Sequence, residues 1–213
     1  MFSLISAITV LLCVTIFYLI SLWNLLKTRK FKGKKIESDL PPPRDVLFGI
    51  SAFLTLIFWL TVAVYPFLVF FNVLDRVGSI LLDFSFLSAP IFGWFGLTLL
   101  VSGLLLFTWS VIARKRYATS WEMPENHKLV TKGPYSLVRH PSYLSYFIMF
   151  FGLFLLWPNI LTALTIFAIP GYVKITGYEE EMLIKRFGDE YRNYQRKVGK
   201  FLPRIRRAKN TNK

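Results

Sequence analysis

The two histidines of this chain, His127 and His140, bracket a short polar loop that runs directly into an apolar segment. Gly133-Pro134 predicts a turn in this loop, and Pro141 suits the first position of a helix, because its missing N–H group costs nothing there. Such a helix points its free N–H groups toward the loop, where Arg139 and His140 add donors. The loop therefore predicts a site for a carboxylate or phosphate. The alternative is that Arg139 and His140 only reach lipid headgroups.

Three adjacent carboxylates, Glu179-Glu180-Glu181, follow closely after the last apolar segment. They are conspicuous because the chain holds 12 acidic residues against 26 Lys and Arg residues. One of them can hold an ammonium group or hydroxyls of a ligand. The alternative is a solvated first turn of a helix, where the helix dipole favours acids. An anion site and a carboxylate cluster on one face together suit a zwitterionic ligand.

Other kinds of chemistry find little support in the sequence. The chain has no Gly-x-Gly-x-x-Gly motif for a Rossmann nucleotide site, and no Ser/His/Asp arrangement stands out. The single cysteine, Cys13, excludes a disulfide within the chain, and one cysteine with two histidines argues against a metal site. Cys13 lies in an apolar run and is expected to be a small buried hydrophobe.

Apolar residues make up 54% of the 213 residues, which predicts a membrane protein. Phe2–Leu26 carries no charge and, at about 1.5 Å per residue, exceeds the roughly 30 Å hydrocarbon core. Basic residues follow this segment, so we expect an uncleaved first span rather than a signal peptide. Residues 46–74 predict a second span with a kink at Pro66, and residues 84–113 predict a third that begins after Pro90.

Residues 141–173 are also uncharged, but they are too many for one straight span. Pro158-Asn159 splits them into a hairpin of two short or tilted helices. The predicted fold class is therefore all-α, a polytopic membrane protein of five transmembrane helices. We expect a single domain over 1–213, with three spans in 1–113, a catalytic region in 114–203 and a basic tail in 204–213.

The basic residues predict the orientation in the membrane. If five spans alternate, 25 of the 26 Lys and Arg residues lie on one face. The positive-inside rule makes that face cytoplasmic, together with the active site and the C-terminus, and places the N-terminus outside. The net charge of +14 then belongs to one membrane face, so the bilayer is the expected partner and nucleic acid is not.

An apolar stripe in the polar C-terminal region predicts an amphipathic helix that begins at Leu183. Its members recur every three or four residues: Leu183, Phe187, Tyr191, Tyr194, Val198 and Phe201. Gly188 is the weak point of this helix. Because an aromatic stripe needs a partner surface, we expect the helix to cover the loop at 127–143 rather than lie on the membrane.

Two motifs of this region resemble those of the isoprenylcysteine carboxyl methyltransferase family. The first is His127-x-Leu129-Val130-x-x-Gly133-x-Tyr135-x-x-x-Arg139-His140-Pro141-x-Tyr143. The second is Glu179-Glu180-Glu181-x-Leu183-x-x-x-Phe187-Gly188-x-x-Tyr191-x-x-Tyr194, with a closing Phe201-Leu202-Pro203. The motifs stand in the family's order with a helical hairpin between them, and the resemblance covers residues 127–203. The first three spans match only in being apolar.

The resemblance implies a membrane-embedded methyltransferase that uses S-adenosylmethionine and releases S-adenosylhomocysteine. It also implies a cytoplasm-facing cofactor pocket and a lipophilic acceptor that enters from the bilayer. It assigns catalytic positions to Arg139, Glu179 and Glu180. It assigns cofactor binding to His127, Lys128, Leu129, Val130, Gly133, Tyr135, His140, Pro141, Ser142, Tyr143 and Glu179. This agrees with the physical argument, in which the helix start with His140 takes the methionine carboxylate and Glu179 takes the ammonium or hydroxyls.

The identity of the methyl acceptor stays open. Family members that act on prenylcysteine carry an Arg shortly before the glutamates, whereas this chain has Ile175 there with Lys174 beside it. Lys does not replace Arg in bidentate carboxylate binding. We expect carboxyl O-methylation of an isoprenylcysteine-like substrate, with phospholipid N-methylation or small-thiol S-methylation as alternatives. Alternatives of another class are an NADPH-dependent sterol-reductase-like enzyme and a non-enzymatic membrane protein.

Overall fold

The computed structural model describes residues 2–29, 35–37, 45–87, 89–114, 122–124 and 128–204. Within these ranges the chain is mainly helical, as predicted. Its helices are α1 (Phe2–Arg29), α2 (Val46–Phe70), α3 (Leu74–Ile80), α4 (Pro90–Arg114), α5 (Pro141–Leu156), α6 (Ile160–Ile166), α7 (Ile169–Phe187) and α8 (Asp189–Lys197). Short 3-10 turns occupy Ser85–Leu87 and Gly133–Ser136. A feature that the sequence did not predict is a small antiparallel sheet of β1 (Lys35–Glu37) and β2 (Glu122–Pro124), with Ile36 opposite Met123.

Among the described residues, four helical stretches are long and apolar enough to cross a bilayer, which makes this an integral membrane protein. They are Phe2–Leu26, Val46–Phe70, Pro90–Arg114 and Ile160–Phe187. The predicted kink site Pro66 is buried inside α2, and the helix continues through it. Many apolar side chains on these helices face outward, where only lipid can solvate them, for example Leu19, Phe53 and Leu105 at 61%, 61% and 64% exposure.

The predicted hairpin is present, but its two arms differ in length. Pro141–Leu156 has 16 residues and is about 24 Å long, shorter than the hydrocarbon core. Asn159 turns the chain back, because its side chain accepts hydrogen bonds from the N–H groups of Leu161 and Thr162 at the start of α6. The second arm does not end at Val173 as predicted. It continues through the acidic triplet to Phe187, since a polar sequence without a breaker can extend a helix.

The N-terminal helices form an antiparallel framework around the hairpin. α1 and α4 run in the same direction, because Phe2 packs on Trp94 and Phe17 packs on Phe107, with ring centroids 4.7 and 5.0 Å apart. α2 runs the opposite way, since Ser6 near the start of α1 is hydrogen-bonded to Tyr65 near the end of α2, at 2.8 Å. Cys13 is buried in this framework, as expected.

α4 and α5 approach each other closely enough to exclude side chains. A Cβ atom on Gly96 would lie 2.4 Å from the backbone nitrogen of Leu156, and one on Gly152 would lie 2.7 Å from that of Leu100. Such distances are shorter than any real contact, so glycine is required where the two backbones meet. This packing holds the start of α5 at a fixed level beside the end of α4.

The predicted C-terminal amphipathic helix is divided into two pieces. Gly188 has φ 53°, a left-handed conformation that ends α7 and redirects the chain into α8. Leu183 and Phe187 therefore belong to α7, whereas Tyr191 and Tyr194 belong to α8. The stripe residues still pack in one cluster, since Leu183 and Phe187 contact the buried group of Tyr191, Tyr194 and Val198.

Candidate functional site

The candidate site forms where the start of α5 meets α7. His140 is the N-cap of α5, with Nε2 at 3.0 Å from Oε1 of Glu180 and Nδ1 at 3.6 Å from Oε2 of Glu179. One turn into α5, the Tyr143 hydroxyl donates a hydrogen bond to Oε1 of Glu179 over 2.7 Å. The structure thus brings the two predicted motifs into one group of buried and partly buried side chains.

The acidic triplet lies inside α7, not at the start of a helix as one predicted alternative required. Successive side chains of an α-helix point in different directions, because about 3.6 residues complete a turn. Glu179 is buried at 7% exposure, Glu180 is partly buried, and Glu181 is exposed. Glu179 and Glu180 therefore face the site, whereas Glu181 faces away from it.

The side chain of Arg139 binds Glu180 and backbone carbonyl groups at the end of α8, so its donors do not face an open anion site. Its Nε donates to Oε1 of Glu180 over 2.8 Å, and its Nη1 donates to the carbonyl oxygens of Val198 and Gln195 over 2.5 and 3.3 Å. Gln195 in turn donates from Nε2 to Oε2 of Glu180 over 3.1 Å. The donors of Arg139 and His140, predicted to receive a ligand's anion, instead contact the chain's own acceptors.

The chain after α8 pairs with the loop before α5 as a short parallel strand contact. Val138 and Gly199 form a β-bridge, the N–H of Arg139 donates to the carbonyl of Gly199 over 2.8 Å, and that of His140 donates to the carbonyl of Lys200 over 3.1 Å. Phe201 follows and places its ring 5.9 Å from the imidazole of His140. The C-terminal segment therefore covers one side of the site.

Buried tyrosines also connect α8 to the loop before α5. The Tyr194 hydroxyl donates to the carbonyl oxygen of Tyr135 over 2.5 Å. Burial raises the pKa of Tyr135, Tyr191 and Tyr194 above the ordinary tyrosine value. These hydroxyls consequently stay protonated at any physiological pH, and that of Tyr194 remains a hydrogen-bond donor.

Two predicted residues lie at the junction of α4, the turn and α5. Gly133 has φ 64°, which favours glycine, and a Cβ atom there would lie 3.4 Å from both Ala113 Cβ and Trp109 Nε1. The buried Oγ of Ser142 lies near the hydroxyl of Tyr135, in the first turn of α5.

The remaining predicted cofactor residues are distributed around this junction. Pro141 is buried at the first position of α5. Leu129 packs against the cluster of Tyr191 and Tyr194, Val130 is partly buried, and Lys128 is exposed. His127 lies outside the described residues, so its predicted role stays a prediction.

Lys174 forms an ion pair with the residue that caps another helix, α2. Its ammonium group pairs with Asp45, whose other carboxylate oxygen accepts from the N–H of Leu47 and caps α2. The hydrogen bond from Lys174 lowers the pKa of the Asp45 carboxyl. Ile175, its neighbour in α7, is buried at 2% exposure. The structure therefore gives Lys174 a role in joining α2 to α7.

Sequence reasoning missed two contributors to the site. Gln195 carried no signal, since a lone amide on a polar helix is common. Tyr172 sits inside an apolar run, yet its ring lies 5.4 Å from that of Tyr143 and its hydroxyl is hydrogen-bonded to Thr55 of α2 at 2.7 Å.

Comparisons with known proteins find similarities to methyltransferases. A family model described as phospholipid methyltransferase matches residues 91–190. Protein-S-isoprenylcysteine O-methyltransferase B of Arabidopsis thaliana is 32% identical over 114 residues, 51% of this chain and 58% of that protein. Methanethiol S-methyltransferase of Pseudomonas deceptionensis is 37% identical over 76 residues, 34% of this chain and 28% of that protein. A solved structure of the eukaryotic intramembrane Ras methyltransferase matches with a TM-score of 0.46 and 23% identity over 76% of this chain and 54% of that chain.

The chain thus spans 58% and 28% of the lengths of the two curated relatives. The region matched by the family model contains His140, Tyr143 and Glu179, which converge in the site. The predicted resemblance is confirmed by the family model and the curated relatives, which belong to the predicted enzyme class.

Proposed function

We propose, on the premise that this chain is an isoprenylcysteine-carboxyl-methyltransferase-like family member, that it transfers a methyl group from S-adenosylmethionine to a lipophilic acceptor. One observation carries the proposal. His140, Tyr143 and Glu179 come from two motifs on either side of a helical hairpin, and they meet in one hydrogen-bonded group. Buried polar and charged groups that converge in this way are typical of functional sites.

The residues of the site fit the zwitterionic end of this cofactor. Glu179 is a buried carboxylate that forms no ion pair with Lys or Arg within the described residues, so it can accept an ammonium group or ribose hydroxyls. Ser142 offers a buried hydroxyl. The proposed cofactor contacts are those assigned from the motifs: His127, Lys128, Leu129, Val130, Gly133, Tyr135, His140, Pro141, Ser142, Tyr143 and Glu179.

When bound, S-adenosylmethionine supplies a methyl group on a sulfonium centre. The side chains contribute orientation and exclusion of water. The rings of Tyr143 and Tyr172 lie together and can stabilise a cation through their faces. The C-terminal segment with Phe201 closes the site on one side, which keeps water away. A carboxylate or thiolate acceptor is already nucleophilic, so positioning is the main demand.

Arg139 and Glu180, predicted as catalytic, are proposed to act as positioning residues. Both contact other parts of the chain: Arg139 holds the carbonyls at the end of α8, and Glu180 accepts from Arg139, His140 and Gln195. They would fix the His140 ring and the covering segment. Glu179 is the acidic residue proposed to touch the cofactor.

The acceptor is proposed to be an isoprenylcysteine-like carboxylate, in line with the curated relatives from Arabidopsis thaliana and Schizosaccharomyces pombe. A small thiol is the second candidate, and one observation favours it. Lys174 is paired with Asp45 and Ile175 is buried, so neither supplies the cation that a carboxylate acceptor needs at this position of α7. The methanethiol methyltransferase relative supports the same alternative.

We further propose five membrane spans, with α5 as the short fourth one and α6–α7 as the fifth. The parallel arrangement of α1 and α4 supports a single crossing between them, made by α2 in the opposite direction. With the positive-inside rule this places the N-terminus outside and the site on the cytoplasmic side. The shortness of α5 would bring His140 below the headgroups, where a lipophilic acceptor can meet a polar cofactor.

The proposal is tested by calorimetric titration of S-adenosylhomocysteine into the detergent-purified protein, with NADPH titrated in parallel. We expect saturable binding of S-adenosylhomocysteine that His140→Ala weakens by about tenfold or more, because the imidazole orders Glu179 and Glu180. Circular dichroism of the variant confirms that it is folded. Binding of NADPH alone would move the protein to the reductase class, and binding of neither compound by folded protein would overturn the proposal.

A further inference from the structure

We propose that Tyr146 of α5 limits the length of the apolar group that a methyl acceptor can place inside the helical bundle. The inference rests on the proposed function and narrows the choice of acceptor left open there. In the transfer, the acceptor's thiolate sulfur or carboxylate oxygen bonds to the methyl carbon. The bond from that carbon to the sulfonium breaks at the same time and leaves its electron pair on the sulfur. Tyr146 takes no part in this step and determines only which acceptors fit.

Tyr146 lies about one turn further into the bundle than the site. α5 begins at the site and runs away from it, so Tyr146 stands about 4.5 Å beyond Tyr143 along the helix axis. Tyr172 of α7 precedes Glu179 by about two turns and is deeper in the bundle for the same reason. The ring of Tyr146 stacks on that of Tyr172, with centroids 6.1 Å apart, and Tyr172 contacts Tyr143 at 5.4 Å. The three rings therefore border the site on its apolar side.

The interior beyond Tyr146 is occupied by further aromatic rings. Phe107 of α4 and Trp59 of α2 contact Tyr146, with centroids 5.7 and 6.4 Å away. Phe17 of α1 closes the group, since it stacks on Trp59 at 3.5 Å and contacts Phe107 at 5.0 Å. One turn further along α5, Phe150 is 0% exposed. An apolar chain that passed Tyr146 would therefore meet packed side chains.

The exposure of the rings changes at Tyr146. Tyr143, Tyr146 and Tyr172 are partly exposed, although each contacts a ring on another helix. Phe107 and Phe150, which contact Tyr146 from the interior, are buried. Accessible surface therefore ends at Tyr146 in the direction of these two rings. A ring at this boundary is suited to set a length limit, because forcing extra methylenes into a filled core is costly.

This boundary favours one class of acceptor. An acceptor whose reacting atom lies beside Tyr143 has room for a short apolar group before it reaches Tyr146, whereas a prenyl chain would need the volume of the packed rings. Sulfur makes favourable contacts with aromatic rings, and the site is bordered by them. The acceptor that fits best is therefore a small apolar thiol.

The test compares the wild type with three variants of the full chain in detergent. Tyr146→Ala removes the ring, and Tyr146→Phe keeps the ring but removes its hydroxyl. Phe151→Ala is the matched control, because it removes a ring of the same helix that is 45% exposed on the outer surface. Titration of S-adenosylhomocysteine shows that each variant keeps the cofactor site.

Two measurements report the length limit. Ethanethiol, hexanethiol and dodecanethiol are titrated by calorimetry into protein saturated with S-adenosylhomocysteine, at one fixed detergent concentration. Methyl transfer from labelled S-adenosylmethionine is then measured with the same thiols and with the S-methyl, S-hexyl and S-farnesyl forms of N-acetylcysteine. The first measurement reports acceptor binding without turnover, and the second gives kcat/KM for each chain length.

The proposal predicts a preference for short acceptors that is reversed when the ring is removed. Each added methylene strengthens apolar binding by about threefold where there is room for it. In the wild type, dodecanethiol should nevertheless be at least about tenfold poorer than the better of the two shorter thiols, in affinity and in kcat/KM. Tyr146→Ala should improve dodecanethiol by about tenfold or more. Tyr146→Phe and Phe151→Ala should keep the wild-type order.

Other results overturn the proposal. A wild type that prefers dodecanethiol or the farnesyl compound would refute the limit and support a prenylcysteine acceptor. An unchanged length preference in Tyr146→Ala, or an equal change in Phe151→Ala, would give Tyr146 no special part in it. Loss of S-adenosylhomocysteine binding by folded Tyr146→Ala would assign the ring to the cofactor site instead. Should Tyr146→Ala not fold, Tyr146→Leu takes its place, with a smaller change in the same direction expected.

Two outcomes separate this inference from the proposed function. A wild type that binds S-adenosylhomocysteine but neither binds nor methylates any of the acceptors would reject the acceptor class and leave the cofactor assignment intact. Failure of the wild type to bind S-adenosylhomocysteine would instead refute the proposed function.

Discussion

The hydroxyl of Tyr143 donates a hydrogen bond to Oε1 of Glu179 over 2.7 Å, and this contact joins the two arms of the helical hairpin inside the candidate site. The two residues are 36 positions apart, one in each motif. The bond holds one oxygen of the carboxylate toward α5, while the other lies 3.6 Å from His140. Glu179 is therefore held in a fixed orientation before any ligand binds.

Removing this single donor should weaken ligand binding and spare the fold. Tyr143→Phe keeps the ring that packs on Tyr172 but leaves the buried Glu179 oxygen without its donor. We expect about fivefold weaker binding of S-adenosylhomocysteine, which corresponds to about 1 kcal/mol for one hydrogen bond. Calorimetry measures the change, and Tyr18→Phe, at an exposed tyrosine of α1, serves as the control. Unchanged affinity in Tyr143→Phe would show that the orientation of Glu179 does not matter.

We expect Arg139 to stabilise the chain segment after α8 rather than to contact a reacting group. Arg139→Met removes the donors to Glu180 and to the carbonyl of Val198, which leaves partly buried acceptors unpaired. We expect a loss of stability of about 2–4 kcal/mol, seen as a lower melting temperature in detergent. Limited proteolysis should also cut more rapidly after α8. A variant as stable as the wild type but with lower turnover would instead indicate a direct catalytic role.

The alkaline limit of stability should reflect the buried tyrosines of α8. Burial raises the pKa of Tyr194 in the folded protein above the ordinary value, so the unfolded chain ionises first as the pH rises. The stabilising contribution is complete below about pH 10, the ordinary tyrosine pKa, and falls above it. Tyr194→Phe should lower the melting temperature at pH 8, because the hydrogen bond to Tyr135 is lost. Between pH 8 and pH 11 the melting temperature of the variant should decrease less than that of the wild type. An equally steep fall in the variant would contradict this.

The contact between α4 and α5 gives a prediction with a control inside the same chain. Gly152→Ala would place a Cβ atom 2.7 Å from the backbone nitrogen of Leu100, and backbone cannot move aside easily. We expect destabilisation of about 1–3 kcal/mol, as for other overpacked sites. Gly177→Ala, in α7 with nothing within 4 Å, should be neutral or stabilise by up to about 1 kcal/mol. Thermal unfolding in detergent compares the two, and equal stabilities would mean that the close approach is absent.

The membrane helices could be predicted from the sequence because hydrophobic length alone identifies them. The exception is the second hairpin arm, whose polar end from Lys174 to Phe187 has no hydropathy signal although its residues continue the helix. The motifs located the site, since they name the residues that converge. Their partners could not be predicted, because a sequence shows that Arg139 and His140 are donors but not that Glu180 accepts from both.

The central claim, that the carboxylate of Glu179 holds the cofactor, is tested most directly by a pair of neighbouring substitutions. S-adenosylhomocysteine is titrated into detergent-purified Glu179→Gln and Glu181→Gln, which remove the same charge from a buried and an exposed position of one helix. We predict about tenfold or greater loss of affinity for Glu179→Gln and wild-type affinity for Glu181→Gln. Equal affinities in the two variants would contradict the account, because the buried carboxylate would then have no part in binding.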